Sequence, residues 1–219
     1  MIRSDGLEDG AVLPSETTLA DKFQVSQRVV RDALRALSQQ GIVRTQQGKP
    51  AMVIGRRPLA IQNYFKLALE DGLGSFDELI ELRQALEVRA TGRAAAAASA
   101  EEIEALRAML TASEEATILE RRVDADLALH SAIITLGRNR FFAAIFDSVA
   151  TFLAEERRRG QEMTEGTGGD HARSHREHRE IVDAIENGDP ERAERAMRSH
   201  LDRVQREFER NSRSTSAGA

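Results

Sequence analysis

Residues 14–54 read PSETTLADKFQVSQRVVRDALRALSQQGIVRTQQGKPAMVI, and this stretch decides the architecture of the N-terminal part. Ser15, just after Pro14, is placed to cap a short helix over Glu16–Phe23, because its hydroxyl satisfies a free N–H of the first turn. Gln24-Val25 then breaks the pattern. Ser26 is a second N-cap, and Val29, Val30, Ala33, Leu34 and Leu37 follow at the three- and four-residue spacing of one apolar helix face. Gly41 ends that helix, whose outer surface carries Gln27, Arg28, Arg31 and Arg35. Ile42–Gln46 and Ala51–Ile54 read as short strands around the turn sequence Gln47-Gly48-Lys49-Pro50. Two short helices, the second basic, followed by a hairpin make a winged helix-turn-helix, a device for laying one helix against DNA.

The charge distribution agrees with that reading only when it is taken in parts. The 219 residues carry a net charge of −5, yet residues 1–57 hold nine Lys/Arg against six Asp/Glu, and residues 58–219 hold 22 against 30. The basic part is the motif part, so attraction to phosphate is confined to one face of an otherwise acidic chain. Of the 31 basic residues 28 are Arg, a composition suited to bidentate contacts and also typical of some genomes. Cysteine is absent, which excludes disulfides and thiolate metal sites and fits a reducing compartment. No apolar run approaches the roughly 18–20 residues of a membrane span. A cytoplasmic protein without a membrane partner is expected.

Only thirteen residues precede Pro14, with Gly6 and Gly10 among them, so the winged helix-turn-helix is expected to lack most of its first helix. Either an upstream start or a weakened reading head follows, with the apolar back of the second helix at Val30 and Leu34 losing part of its cover. Beyond residue 57 the chain reads as helix: approximately Ile61–Glu70, Phe76–Ala98, Ala100–Glu115, Ile118–Leu136, Arg140–Met163, His171–Asn187 and Pro190–Asn211. Glu165-Gly166-Thr167-Gly168-Gly169 reads as a flexible break, and Pro190 as a helix start. The expected fold class is therefore mainly α: a DNA-binding domain over 1–57, a linker over 58–62, an antiparallel all-α bundle over 63–211 and a disordered tail over 212–219.

Polar residues interrupt the apolar faces of this bundle at informative places. On the stripe Leu119, Val123, Asp126, Leu127, His130, Ile133, Ile134 the two polar residues sit one turn apart. His178 lies on His171, His175, His178, Val182, Ile185, and His200 lies on Ala193, Met197, His200, Leu201, Val204, Phe208. Each alone reads first as a hydrogen-bonded core residue. Together Asp126, His130, His178 and His200 are the imidazole-plus-carboxylate donor set of a divalent ion such as Zn²⁺, Ni²⁺ or Mn²⁺. His175 competes with His178 for its place, and His171, nearer the helix start, is a weaker competitor. Arg83, on the face Phe76, Leu79, Ile80, Arg83, Leu86, Ala90, needs an anion: either Glu87 one turn on, or a ligand carboxylate.

These residues resemble the GntR family of bacterial transcription regulators, in the FadR-like branch with a C-terminal all-helical FCD domain. Leu13-Pro14-Ser15-Glu16, Val25-Ser26, Val30-Arg31-Asp32-Ala33-Leu34, Leu37, Gly41-Ile42-Val43 and Gly48 follow the family's reading-head pattern. Asp126-x3-His130, His178 and His200 fall where FCD domains carry metal ligands, and Arg83-x3-Glu87 is similar to a signature of their first long helix. The resemblance implies a homodimer, a double-stranded DNA operator, and a small carboxylate effector bound beside the metal. Gln47-Gly48-Lys49-Pro50 also resembles the wing of the fatty-acid regulator of this branch, although metal-type ligands do not suit an acyl-CoA effector. The chain departs from the family at Gln27 and Thr17, where arginines are usual, and at Gln47, where His is frequent, while Arg28 is an addition.

The expected DNA-facing set is thus Ser15, Thr17, Ser26, Gln27, Arg28, Arg31, Gly48 and Lys49, with Arg83 for the effector. A non-enzymatic regulator is expected. Three imidazoles and a carboxylate would also serve a metal-dependent hydrolase, but the bundle offers no obvious nucleophile. A pure metal sensor is the third reading.

Overall fold

The computed structural model of the chain describes residues 1–2, 4–54, 59–162 and 169–216. It is mainly helical, with α1 (Glu16–Phe23), α2 (Gln27–Gln39), β1 (Val43–Gln46), β2 (Lys49–Val53), α3 (Leu59–Glu70), α4 (Phe76–Ala97), α5 (Ala100–Glu115), α6 (Leu119–Leu136), α7 (Arg140–Glu162), α8 (Gly169–Glu186) and α9 (Pro190–Ser216). Two compact units, Met1–Leu67 and Ala68–Ala219, divide inside α3. That helix begins at Leu59, within the segment 58–62 expected as linker, because LAIQNYFKLALE holds no Gly or Pro to interrupt it. Pro58, the start of that linker, and residues 55–57, the end of the expected DNA-binding domain, lie outside the described residues. So do Met163, the end of an expected helix, Glu165–Gly168 of the expected break, and residues 217–219 of the expected tail. Within the tail segment α9 continues as far as Ser216.

In the first unit both serine caps form: Ser15 Oγ accepts from Thr18 N–H and Ser26 Oγ from Val29 N–H. Gln24 makes the tight turn between the helices by adopting a left-handed conformation, φ 56°, with its N–H bonded to the carbonyls of Ala20 and Asp21. The wing turns more tightly than the sequence suggests. Gln46 pairs with Lys49, leaving only Gln47-Gly48 as the loop, and Gly48 supplies the positive φ of 75°. Pro50 is then inside β2, where an edge strand tolerates a residue without an N–H.

Residues 10–13 form a further pairing that the sequence did not announce. Val12 bridges Met52, Leu13 N–H donates to Ala51 O, and Val53 N–H donates to Ala11 O. Leu13 joins Leu19, Ala20, Val30, Leu34, Val43, Ala51 and Val53 in one core, against which Met1, Ile2 and Leu7 also pack. Val30 and Leu34 are consequently buried, contrary to the expectation that they lose cover. The open part of the helix is its neighbouring stripe. Val29, expected on the inward face, is 51% exposed, and Ala33 is also exposed. With Phe23, Val25 and Leu37 they line an apolar groove of about 970 Å³.

In the second unit α4 packs against α6, α7, α8 and α9, and α5 against α6 and α8. Capping boxes start α4 at Ser75/Glu78 and α5 at Ser99/Glu102. Leu106, Leu129, Ile133, Ile181, Ile185, Met197 and Leu201 fill the core. At the end of α6 the chain runs against α4 so closely that a Cβ on Gly137 would stand 2.9 Å from Ala90 Cα and O. Only glycine fits there. This contact holds α6 to α4, and with it His130 to Glu87.

Candidate metal centre and nucleic-acid interface

Three helices of the second unit bring His130 (α6), His178 (α8) and His200 (α9) together. All three side chains are buried, and their donor atoms lie within 4.8 Å of one another. Nε2 of His178 is 3.3 Å from Nε2 of His130 and 3.3 Å from Nε2 of His200. Asp126, also buried, adjoins them through an Oδ1 3.4 Å from His178 Nε2. His178, not His175, is therefore the member of its stripe that joins the cluster.

The far sides of two of these rings are held by carboxylates. Nδ1 of His130 is hydrogen-bonded to Glu87 Oε2, while Glu87 Oε1 accepts from Arg83 Nε. Nδ1 of His200 lies 2.9 Å from Glu177 Oε2, and Arg203 Nε donates to both oxygens of Glu177 at 2.7 and 2.8 Å. Burial alone would push the Glu87 carboxyl up, but the Arg83 guanidinium and His130 outweigh it and hold it below the usual glutamate range. Arg203 is in turn held by Glu207 and Ser174.

Sequence reading found Glu87 only as a partner of Arg83, and missed Glu177 and Arg203. The available signal was Arg203 itself, three residues after His200 on the same helix side, since a buried guanidinium requires a carboxylate. Arg83 behaves as that rule demands through Glu87, yet its Nη2 is buried without a hydrogen-bond partner. A buried cationic donor with nothing to bond is costly, and a ligand oxygen would relieve it.

The donor set fits a divalent ion. Ring nitrogens about 2.0–2.1 Å from a tetrahedral ion stand about 3.3–3.4 Å apart, which is the spacing of the two Nε2 pairs. Three neutral imidazoles with lone pairs facing one point repel one another unless a cation or a shared proton lies between them. The cluster can therefore accept an ion.

On the first unit, Ser15, Thr17, Ser26, Gln27, Arg28, Arg31, Gly48 and Lys49 are all exposed. Thr17 and Gln27 are joined, Gln27 Nε2 donating to Thr17 Oγ1 at 3.2 Å. Arg31 is not a free cation: its Nε and Nη2 donate to Glu16 Oε2 at 3.2 and 3.0 Å. That pair fixes the direction of the guanidinium. Ser15 and Ser26 each accept a helix-cap N–H at Oγ, and Ser15 Oγ also pairs with Thr18 Oγ1 at 2.8 Å.

Residues 1–53 match the family described as bacterial regulatory proteins, gntR family, and residues 78–203 match the FCD domain. Over 212 residues the chain is 29% identical to the HTH-type transcriptional regulator LutR of Bacillus subtilis (strain 168), covering 94% of each. It is 30% identical over 209 residues to the HTH-type transcriptional repressor NanR of Enterobacter sp. (strain 638), covering 93% of this chain and 79% of that protein. Among solved structures, Streptococcus agalactiae GntR shares the fold, with a TM-score of 0.72 at 24% identity over 94% of each chain. No helix among the described residues is long and apolar enough to cross a membrane.

Proposed function

We propose that this chain, which belongs to the gntR family of bacterial regulatory proteins and carries an FCD domain, regulates transcription in response to a small organic acid bound beside a divalent metal. In this reading it binds a double-stranded operator as a homodimer. Arg28 and Arg31 reach base edges or phosphates, Gln27 reads adenine, and Gly48-Lys49 approach the adjacent backbone. The ion is held by Asp126, His130, His178 and His200; it supplies Lewis acidity toward the effector's carboxylate. Arg83 takes the effector's far end through Nη2. Relatives at 30–31% identity are named repressors, so repression is the proposed sign.

The observation that carries the metal reading is the convergence of three buried imidazole nitrogens. The unpartnered Nη2 of Arg83 favours an acid effector over a pure metal sensor or a hydrolase. An effector that binds one arrangement of the helices more tightly can change operator affinity by about 1–3 kcal/mol. Elemental analysis with a thermal-shift screen of small carboxylates, on the parent and on Arg83→Ala and His200→Ala, tests the site. The reading requires carboxylates to stabilise the parent far more than either variant; equal stabilisation of all three would place the pocket elsewhere.

A further inference from the structure

Resting on the metal reading above, we propose that Glu87 and Glu177 are positioning residues that set the tautomers of His130 and His200, so that both rings turn a bare Nε2 toward the cluster before any ion arrives. Each carboxylate meets an Nδ1 from a different part of the bundle: Glu87 reaches across from α4 to α6, and Glu177 from α8 to α9. Each is clamped from behind by a guanidinium, Arg83 for Glu87 and Arg203 for Glu177. A carboxylate so held only accepts hydrogen bonds, and the ring nitrogen facing it must carry the proton. The other nitrogen of a neutral imidazole is then a lone pair. A histidine free of such partners favours the opposite tautomer, with its proton on Nε2, where it would occupy the place of the ion.

The two chains, Arg83–Glu87–His130 and Arg203–Glu177–His200, do the same task with different exposure. Glu87 is fully buried, whereas the Glu177 side chain is 17% exposed. Outer carboxylates of this kind raise the basicity of the ring they hold and fix its orientation, and their loss costs metal sites about 10–100-fold in affinity. The device applies to His130 and His200; beside His178 stands Asp126, on the Nε2 side.

The test uses the full-length protein stripped of metal and labelled with ¹⁵N, whose histidine tautomers are read from long-range ¹H–¹⁵N correlations, together with Zn²⁺ affinity by chelator competition. The parent should show Nδ1–H at His130 and His200. Glu177→Ala should release His200 alone toward Nε2–H, Glu87→Gln should release His130 alone, and each should weaken Zn²⁺ binding about 10–100-fold. If Glu87→Gln fails to fold, Glu177→Ala carries the test, since Glu177 is partly exposed and Arg203 keeps Glu207. Tautomers unchanged in the variants, or Nε2–H in the parent, would overturn the proposal. Parent tautomers that depend on the two carboxylates in a protein that binds no Zn²⁺ would support the positioning role while removing the metal reading.

Discussion

His130 Nε2 and His178 Nε2 stand 3.3 Å apart although 48 residues separate them in sequence, and His200 Nε2 stands equally close to the same nitrogen of His178. Three folded helices thus spend their convergence on one point. A ligand that binds only the folded state stabilises it by about 2.7 kcal/mol at a hundred times its Kd. Zn²⁺ or Ni²⁺ should raise the thermal midpoint of the chelator-treated protein, and His178→Ala should abolish the gain. A variant stabilised as strongly as the parent would remove His178 from the site.

Proton competition gives the pH dependence its sign. Imidazole must be neutral to bind an ion, so binding expels protons wherever the free rings carry them. Affinity should fall as the pH drops and protons compete with the ion for the ring nitrogens. Competition titrations from pH 8 to 5 would show this. An affinity that rises on acidification would mean that the rings are not the donors.

The Arg83–Glu87 pair is buried at both ends, which predicts a contrast between single and double substitutions. Glu87→Ala should cost about 3–5 kcal/mol, since it strands a buried guanidinium, whereas Arg83→Met with Glu87→Leu should cost less, because only the His130 Nδ1–H is then left without its carboxylate. Denaturant unfolding of the metal-free protein measures both. Because the Glu87 carboxyl is held below its usual range, its contribution is fully present above the ordinary glutamate value of about 4.3 and lost as pH falls through the lower folded value. The parent's advantage over Glu87→Ala should shrink only at that acid end.

On the DNA face the two basic candidates should fail differently. Arg31→Ala should weaken operator binding by about 1–3 kcal/mol if the guanidinium reads a base, and relax specificity at that position. Lys49→Ala should weaken all sequences alike and lower the salt slope by about one. Binding isotherms on specific and random duplexes at several salt concentrations separate the cases; unchanged affinity for Arg31→Ala at fixed salt would take it off the interface.

The sequence was most legible where chemistry is local. Ser15 and Ser26 cap the helices over which they were expected, because a cap needs only its own first turn. The histidine stripes were legible because helical spacing alone puts His130, His178 and His200 on inward faces. What the sequence hid depends on one element meeting another. The pairing of Ala11 and Leu13 with β2 uses backbone groups, which leave no side-chain pattern. Val29 and Ala33 share the spacing of Val30 and Leu34, and only the placement of residues 1–13 decides which pair is covered. Glu177 adjoins His178 in sequence yet serves His200, a relation fixed by the register between α8 and α9. Leu59–Gln62 gave no strong apolar period and still forms helix, since nothing in it opposes one.

Coupling between effector and DNA is read most directly from operator affinity measured at one salt concentration, with metal-loaded protein, against a duplex selected by the protein from a random pool. The carboxylate that stabilises the parent most should shift that affinity by about 5–150-fold, the range of typical coupling energies, and should shift it for neither His200→Ala nor Arg83→Ala. An operator affinity that is the same with and without the acid, in a parent shown to hold both metal and acid, would contradict that coupling.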